Sequence, residues 1–106
     1  METSQKVSVE SIPFVPTLTT YFTNKPVKRA YLFGSYVRGE QSEDSDIDIL
    51  VELDYEKGAD FFGFIQMRDD LAFLLKKPVD LLSANGLSVY IKPYIDAEKL
   101  LIYANY

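Results

Sequence analysis

The chain has no histidine, no cysteine and no tryptophan. Without histidine it lacks the commonest general base near neutral pH and the commonest zinc ligand. Without cysteine it has no disulfide, no thiolate metal site and no thiol nucleophile, so nothing marks an oxidising compartment. Any chemistry must rest on carboxylates, hydroxyls, lysine or arginine. Positive charge is also scarce: 11 basic against 16 acidic residues give a net charge of −5. A free-standing nucleic-acid binder would carry a basic face, so direct nucleic-acid binding is not expected, whereas a basic protein partner is compatible. Apolar runs are too short to span a bilayer. The N-terminus has neither a basic segment nor an apolar core of the signal-peptide kind, so the expected location is cytoplasmic, away from membranes.

The 106 residues suit one domain with one core, and a 47% apolar composition is that of an ordinary globular chain. Residues 1–10 are polar and without period, and are expected to be a flexible N-terminus preceding a domain at 11–106. Ile12, Val15, Leu18 and Phe22 recur at helical spacing, with Pro13 and Pro16 tolerable only in the first turn. Residues 27–33 read as a strand, 35–40 as a helical turn, 41–45 as a polar acidic loop and 46–53 as a second strand. Asp60 can cap a helix over 61–76, with Phe64, Met67, Leu71 and Leu74 as its apolar stripe and Arg68, Asp69 and Asp70 in solvent. Pro78 ends it. A short strand at 79–82, a helix over 87–97 entered near Pro93, and an edge strand at 100–103 complete the chain. The fold class expected is α/β, a small mixed sheet flanked by helices.

The stretch from Leu32 to Val51 carries the chemistry. An apolar strand ends in Gly34-Ser35, a strand-to-helix turn whose free N–H groups suit a phosphate. Gly34 allows close backbone approach, and the Ser35 hydroxyl suits a β- or γ-phosphate oxygen. Arg38 either contacts a triphosphate or a partner, or is a plain surface residue. Gly39 reads as a turn residue closing the short helix. After ten intervening residues Ser35 is followed by Asp46-Ile47-Asp48. Carboxylates at i and i+2 on a strand share a face and repel unless a hard cation such as Mg2+ lies between them. Asp80 stands alone among apolar residues, where burial is costly without a partner or a metal; a solvent-facing strand-edge position is the alternative.

Gly34-Ser35, ten residues and Asp46-Ile47-Asp48 resemble the nucleotidyltransferase signature of the DNA polymerase β superfamily. Leu32-Phe33-Gly34-Ser35 with Ser45-Asp46-Ile47-Asp48-Ile49-Leu50-Val51 resembles, more narrowly, the minimal nucleotidyltransferase family, often antitoxins paired with a HEPN-domain ribonuclease toxin. The motifs run from about Val27 to Asp80. Val37 departs from the small residue, usually alanine, found there. The resemblance implies a polymerase β-like core that moves AMP from ATP to a tyrosine hydroxyl of a HEPN toxin. It also implies two Mg2+ ions held by Asp46, Asp48 and Asp80, with Asp80 assisting removal of the acceptor proton. The chain has no room for an acceptor domain, so another molecule is expected to present the acceptor, in a hetero-complex or oligomer. Two alternatives remain at this point: nucleotidyl transfer to a small molecule, and a stoichiometric antitoxin that only masks its target.

Overall fold

The computed structural model describes residues 7–105. Four strands form one sheet in the order β3-β2-β1-β4: β1 Val27–Phe33, β2 Ile47–Leu53, β3 Val79–Ser83 and β4 Leu100–Ala104. β1 pairs antiparallel with β2 and with β4, while β3 runs parallel to β2. The sheet is therefore mixed, as the α/β reading expects. The parallel β2-to-β3 connection needs a crossover, and helix α3, Phe61–Leu75, supplies it.

One face of the sheet carries the core. Ala30 and Leu32 of β1, Ile47, Ile49, Val51 and Leu53 of β2, and Leu81 of β3 meet helix α1, Val15–Phe22, and α3 there. Leu18, Phe22 and Leu71 have no exposed surface. Ile12, Val15, Leu18 and Phe22 all lie in this core, because spacings of three and four return them to one side of α1. The other face holds a smaller cluster, Phe33, Leu50 and Ile95, beneath helix α4, Lys92–Glu98. Period-two alternation assigns Asp48 and Glu52 to this second face, beside Leu50.

Several elements depart from the sequence expectations. β2 begins at Ile47, leaving Asp46 outside the ladder. The pairings end there: Ile47 is level with Val79 and Asp48 with Phe33, so Asp46 has no strand neighbour on either side. The last helix spans Lys92–Glu98 rather than 87–97. Pro93 fits only a first turn, and the chain before it is a turn in which Ile91 and Lys92 donate to the Ser88 carbonyl. In α3, Leu74 is 43% exposed and Leu75 packs on the core in its place. Asp70, expected in solvent, accepts the Tyr21 hydroxyl at 2.7 Å. The Asp60 side chain does cap α3, accepting from the Gly63 N–H at 2.7 Å. Of the segment expected to be a flexible N-terminus, residues 1–6 lie outside the described residues. Val7 donates to the Val37 carbonyl at 3.0 Å, and Val9–Ser11 form a 3-10 turn. Among the described residues, no helix is long and apolar enough to cross a membrane.

Candidate functional site

The apolar run of β1 is buried at its end, and Gly34 follows at φ +82° and ψ −154°. That is a backbone region open essentially to glycine alone. Space also requires glycine. A Cβ built on Gly34 would lie 2.0 Å from Asp48 Oδ2, so the Asp48 carboxylate rests directly on the Gly34 Cα. The turn opens into α2, Ser35–Arg38, four residues closed by Gly39 in the left-handed region. The Gly34 carbonyl accepts from the Val37 and Arg38 N–H groups.

The sheet register places the acids. Asp48 is level with Phe33 on one side and with Asp80 on the other. Partners in a parallel ladder point to the same face, so Asp48 and Asp80 are side-by-side neighbours. Asp48 is half-buried and Asp80 is exposed. Asp46 is exposed in the approach to β2. That approach is held by the Ile47 N–H on the Pro78 carbonyl at 3.0 Å and by Lys77 Nζ on the Glu43 carbonyl at 2.8 Å. The structure thus brings Gly34, Asp48 and Asp80 together and leaves Asp46 flanking them. Among the described residues, no three acidic side chains are gathered closely enough to hold an ion as they stand.

Electrostatics single out Asp48. Its pKa is pushed up from 3.8 to about 6, first by burial, then by the charges of Asp80, Asp46 and Glu98; Arg38 opposes the shift. Burial and three acids outweigh the one opposing charge of Arg38 here, which is the environment a cation would relieve. The folded state therefore binds a proton more readily than the unfolded chain. The stability tied to Asp48 is fully present below pH 3.8 and is lost as pH rises through about 6. Asp48→Asn removes that loss. We expect it to melt about 4 °C above wild type at pH 7.5, from roughly 1 kcal/mol, a figure already reduced for solvent screening. The gain should vanish near pH 4. Melting curves across pH check this, and a variant less stable than wild type at pH 7.5 would contradict it.

Arg38 is half-exposed and carries two carboxylates: its Nε donates to Glu40 at 2.9 Å and its Nη1 to Glu98 Oε1 at 2.9 Å. Glu98 is the site residue that sequence reasoning missed. Its second oxygen, Oε2, accepts from the Gly34 N–H at 2.6 Å. The usable signal was register. Leu32 pairs with Leu100 at the end of the antiparallel β1–β4 ladder, and just beyond that end Gly34, after β1, meets Glu98, the last residue of α4. That the last strand pairs with the first could not be read from the chain alone.

The Polymerase beta, Nucleotidyltransferase family profile matches residues 17–105. A candidate protein adenylyltransferase of Methanocaldococcus jannaschii is 44% identical over 69 residues, 65% of this chain and 72% of that protein. The protein adenylyltransferase MntA of Thermococcus cleftensis is 46% identical over 61 residues, 58% of this chain and 60% of that one. A solved structure described as a minimal nucleotidyltransferase superposes with a TM-score of 0.72 at 27% identity, over 89% of this chain and 95% of that one. The MNT antitoxin solved with a tri-AMPylated HEPN toxin from Shewanella oneidensis shares the fold. Its TM-score is 0.61 at 24% identity, over 88% of this chain and 69% of the matched one. A glycine turn seated on one strand carboxylate, a second carboxylate beside it in register, and a family match over most of the chain converge: this chain belongs to the polymerase β nucleotidyltransferase family.

Proposed function

We propose that this chain transfers AMP from ATP to a hydroxyl of a partner protein, a HEPN-type toxin that the modification silences, with a tyrosine as acceptor. The observation that carries the reading is the contact of Gly34 with Asp48, which sets a glycine turn directly beside a carboxylate whose charge burial and three nearby acids disfavour. Relatives named protein adenylyltransferases support the reaction class. Neighbours of the same fold solved as toxin–antitoxin complexes, one with AMP-PNP, support the partner class. An acidic chain meeting a basic partner surface fits as well. A cytoplasmic setting, where ATP is at hand, is part of the same reading.

The roles divide by position. Gly34 and Ser35 bind the triphosphate, Gly34 through its N–H and Ser35 through its hydroxyl, with Arg38 at the edge. Asp46, Asp48 and Asp80 are the groups that would hold two Mg2+ ions; Asp46 and Asp80 are exposed and free to close on them. Bound magnesium would supply charge neutralisation on the phosphates and acidify the attacking hydroxyl. In the transfer the acceptor oxygen bonds to the α-phosphorus and the bond to pyrophosphate breaks. The acceptor proton passes to Asp80 and on to water.

A second reading has one observation in its favour. Glu98 already sits on the Gly34 N–H, as it could in a domain that only masks its target. Calorimetry addresses the nucleotide step. ATP should bind the wild-type protein with Mg2+ and bind about tenfold more weakly with a chelator. The Asp46→Asn/Asp48→Asn protein should lose that metal dependence. Equal affinity in all arms would overturn the metal assignment.

A further inference from the structure

The carboxylate of Glu98 bridges two groups. Its Oε2 takes the Gly34 N–H at 2.6 Å and its Oε1 takes the Arg38 guanidinium at 2.9 Å. Both groups are ones an incoming phosphate would use, because phosphate and carboxylate oxygens ask the same of an amide N–H and a guanidinium. The contact is built into the sheet. The β1–β4 ladder ends at Leu32 and Leu100, two residues short of Gly34 and of Glu98, and Ile95, one turn earlier on α4, is buried against Phe33, the residue before Gly34. The Glu98 side chain is only 25% exposed, so this is not a surface residue resting on the nearest cation. It also adds a negative charge beside Asp48, where negative charge is already in excess.

We propose that Glu98 is an internal competitor for the triphosphate, holding the Gly34 N–H and Arg38 in the resting protein and leaving both when the nucleotide binds. The inference rests on the nucleotide reading of the Gly34 turn. Removing the competitor has a defined consequence. Glu98→Ala vacates the Gly34 N–H and Arg38 and takes one negative charge from the path of a polyanion, so the nucleotide no longer has to break an existing pair. Glu98→Gln keeps the shape but holds Arg38 far less firmly. Arg38 retains its Glu40 partner in both variants, so it remains anchored near the turn.

The test is calorimetric titration of the full chain with Mg-ATP and, separately, with inorganic tripolyphosphate. It is joined to the backbone amide resonance of Gly34 in a 15N-labelled sample. Glu98→Ala should bind both ligands roughly tenfold more tightly than wild type, the equivalent of one charge-assisted hydrogen bond no longer broken, and Glu98→Gln should lie between. The Gly34 amide should resonate differently in the two free proteins and converge when both are saturated with nucleotide. Should Glu98→Ala melt below the titration temperature, Glu98→Gln decides by the same criterion. If wild type binds Mg-ATP and the folded variant binds no more tightly, the competitor role is wrong and the nucleotide reading stands. If neither protein binds either ligand, the nucleotide reading falls and this inference falls with it.

Discussion

Replacing Gly34 by alanine is expected to abolish nucleotide binding and to cost about 3 kcal/mol of stability. Two effects combine. The backbone at φ +82° and ψ −154° strains any L side chain by roughly 1–3 kcal/mol. The new methyl would lie 2.0 Å from Asp48 Oδ2, a separation no real contact reaches, so the carboxylate or the turn must move. Either movement takes Asp48 off its place beside Asp80. Gly58→Ala is the control. Gly58 also has a positive φ, +94°, but a Cβ there meets nothing within 4 Å. It should lose about 1 kcal/mol through backbone strain alone and bind Mg-ATP as wild type does. Thermal melting and calorimetry on both variants separate strain from clash. Normal nucleotide binding by Gly34→Ala would show that the close approach at Gly34 is not part of the site.

The Asp46→Asn/Asp48→Asn protein is expected to lose at least about a thousandfold in AMP transfer, some 4 kcal/mol of barrier. It should still form a complex with its partner. The separation follows from position. Asp46 and Asp48 lie at the mouth of β2, beside the turn. Exposed apolar side chains that suit a protein contact, Phe62 and Phe73, lie on α3, which packs on the opposite face of the sheet. Nor should the fold suffer, since neutralising Asp48 removes a charge that burial and three acids disfavour. Size-exclusion chromatography of the mixed proteins reads docking, and intact-mass spectrometry reads transfer. Loss of both together would mean that the carboxylates hold the partner rather than the reaction.

The strands and the turn were legible because their signals are local. An apolar run ending in Gly-Ser, and a β-branched one opening with Asp-Ile-Asp, state their own period and their own stop. Asp80 could be assigned to a strand, but its place beside Asp48 needed the parallel β2–β3 register, which arises only when α3 crosses over. Asp46 was legible as an acid and not as a loop residue, because strand ends are decided by where the neighbouring strands stop. Leu74 and Leu75 show the same limit: adjacent leucines at the end of α3 fit the apolar stripe about equally, and the core selected Leu75. Glu98 was hidden most completely. Nothing in Asp96-Ala97-Glu98-Lys99 separates a solvent-facing helix end from a residue 2.6 Å from a backbone amide 64 positions away. Tyr103 packs on Phe22, whereas Tyr90 and Tyr94 are 85% and 76% exposed, a division that three tyrosines in sequence do not announce.

Catalysis rather than masking is the central claim, and the mass of the partner tests it most directly. A catalyst acts at trace amounts and leaves a covalent mark, whereas a masking domain is needed at one copy per target. Wild-type protein at about one-hundredth of the partner's concentration, with ATP and Mg2+, should convert the partner to a form heavier by one or more AMP groups and silence it. An unmodified partner that is silenced only by equimolar protein, and equally well by the Asp46→Asn/Asp48→Asn form, would contradict the account.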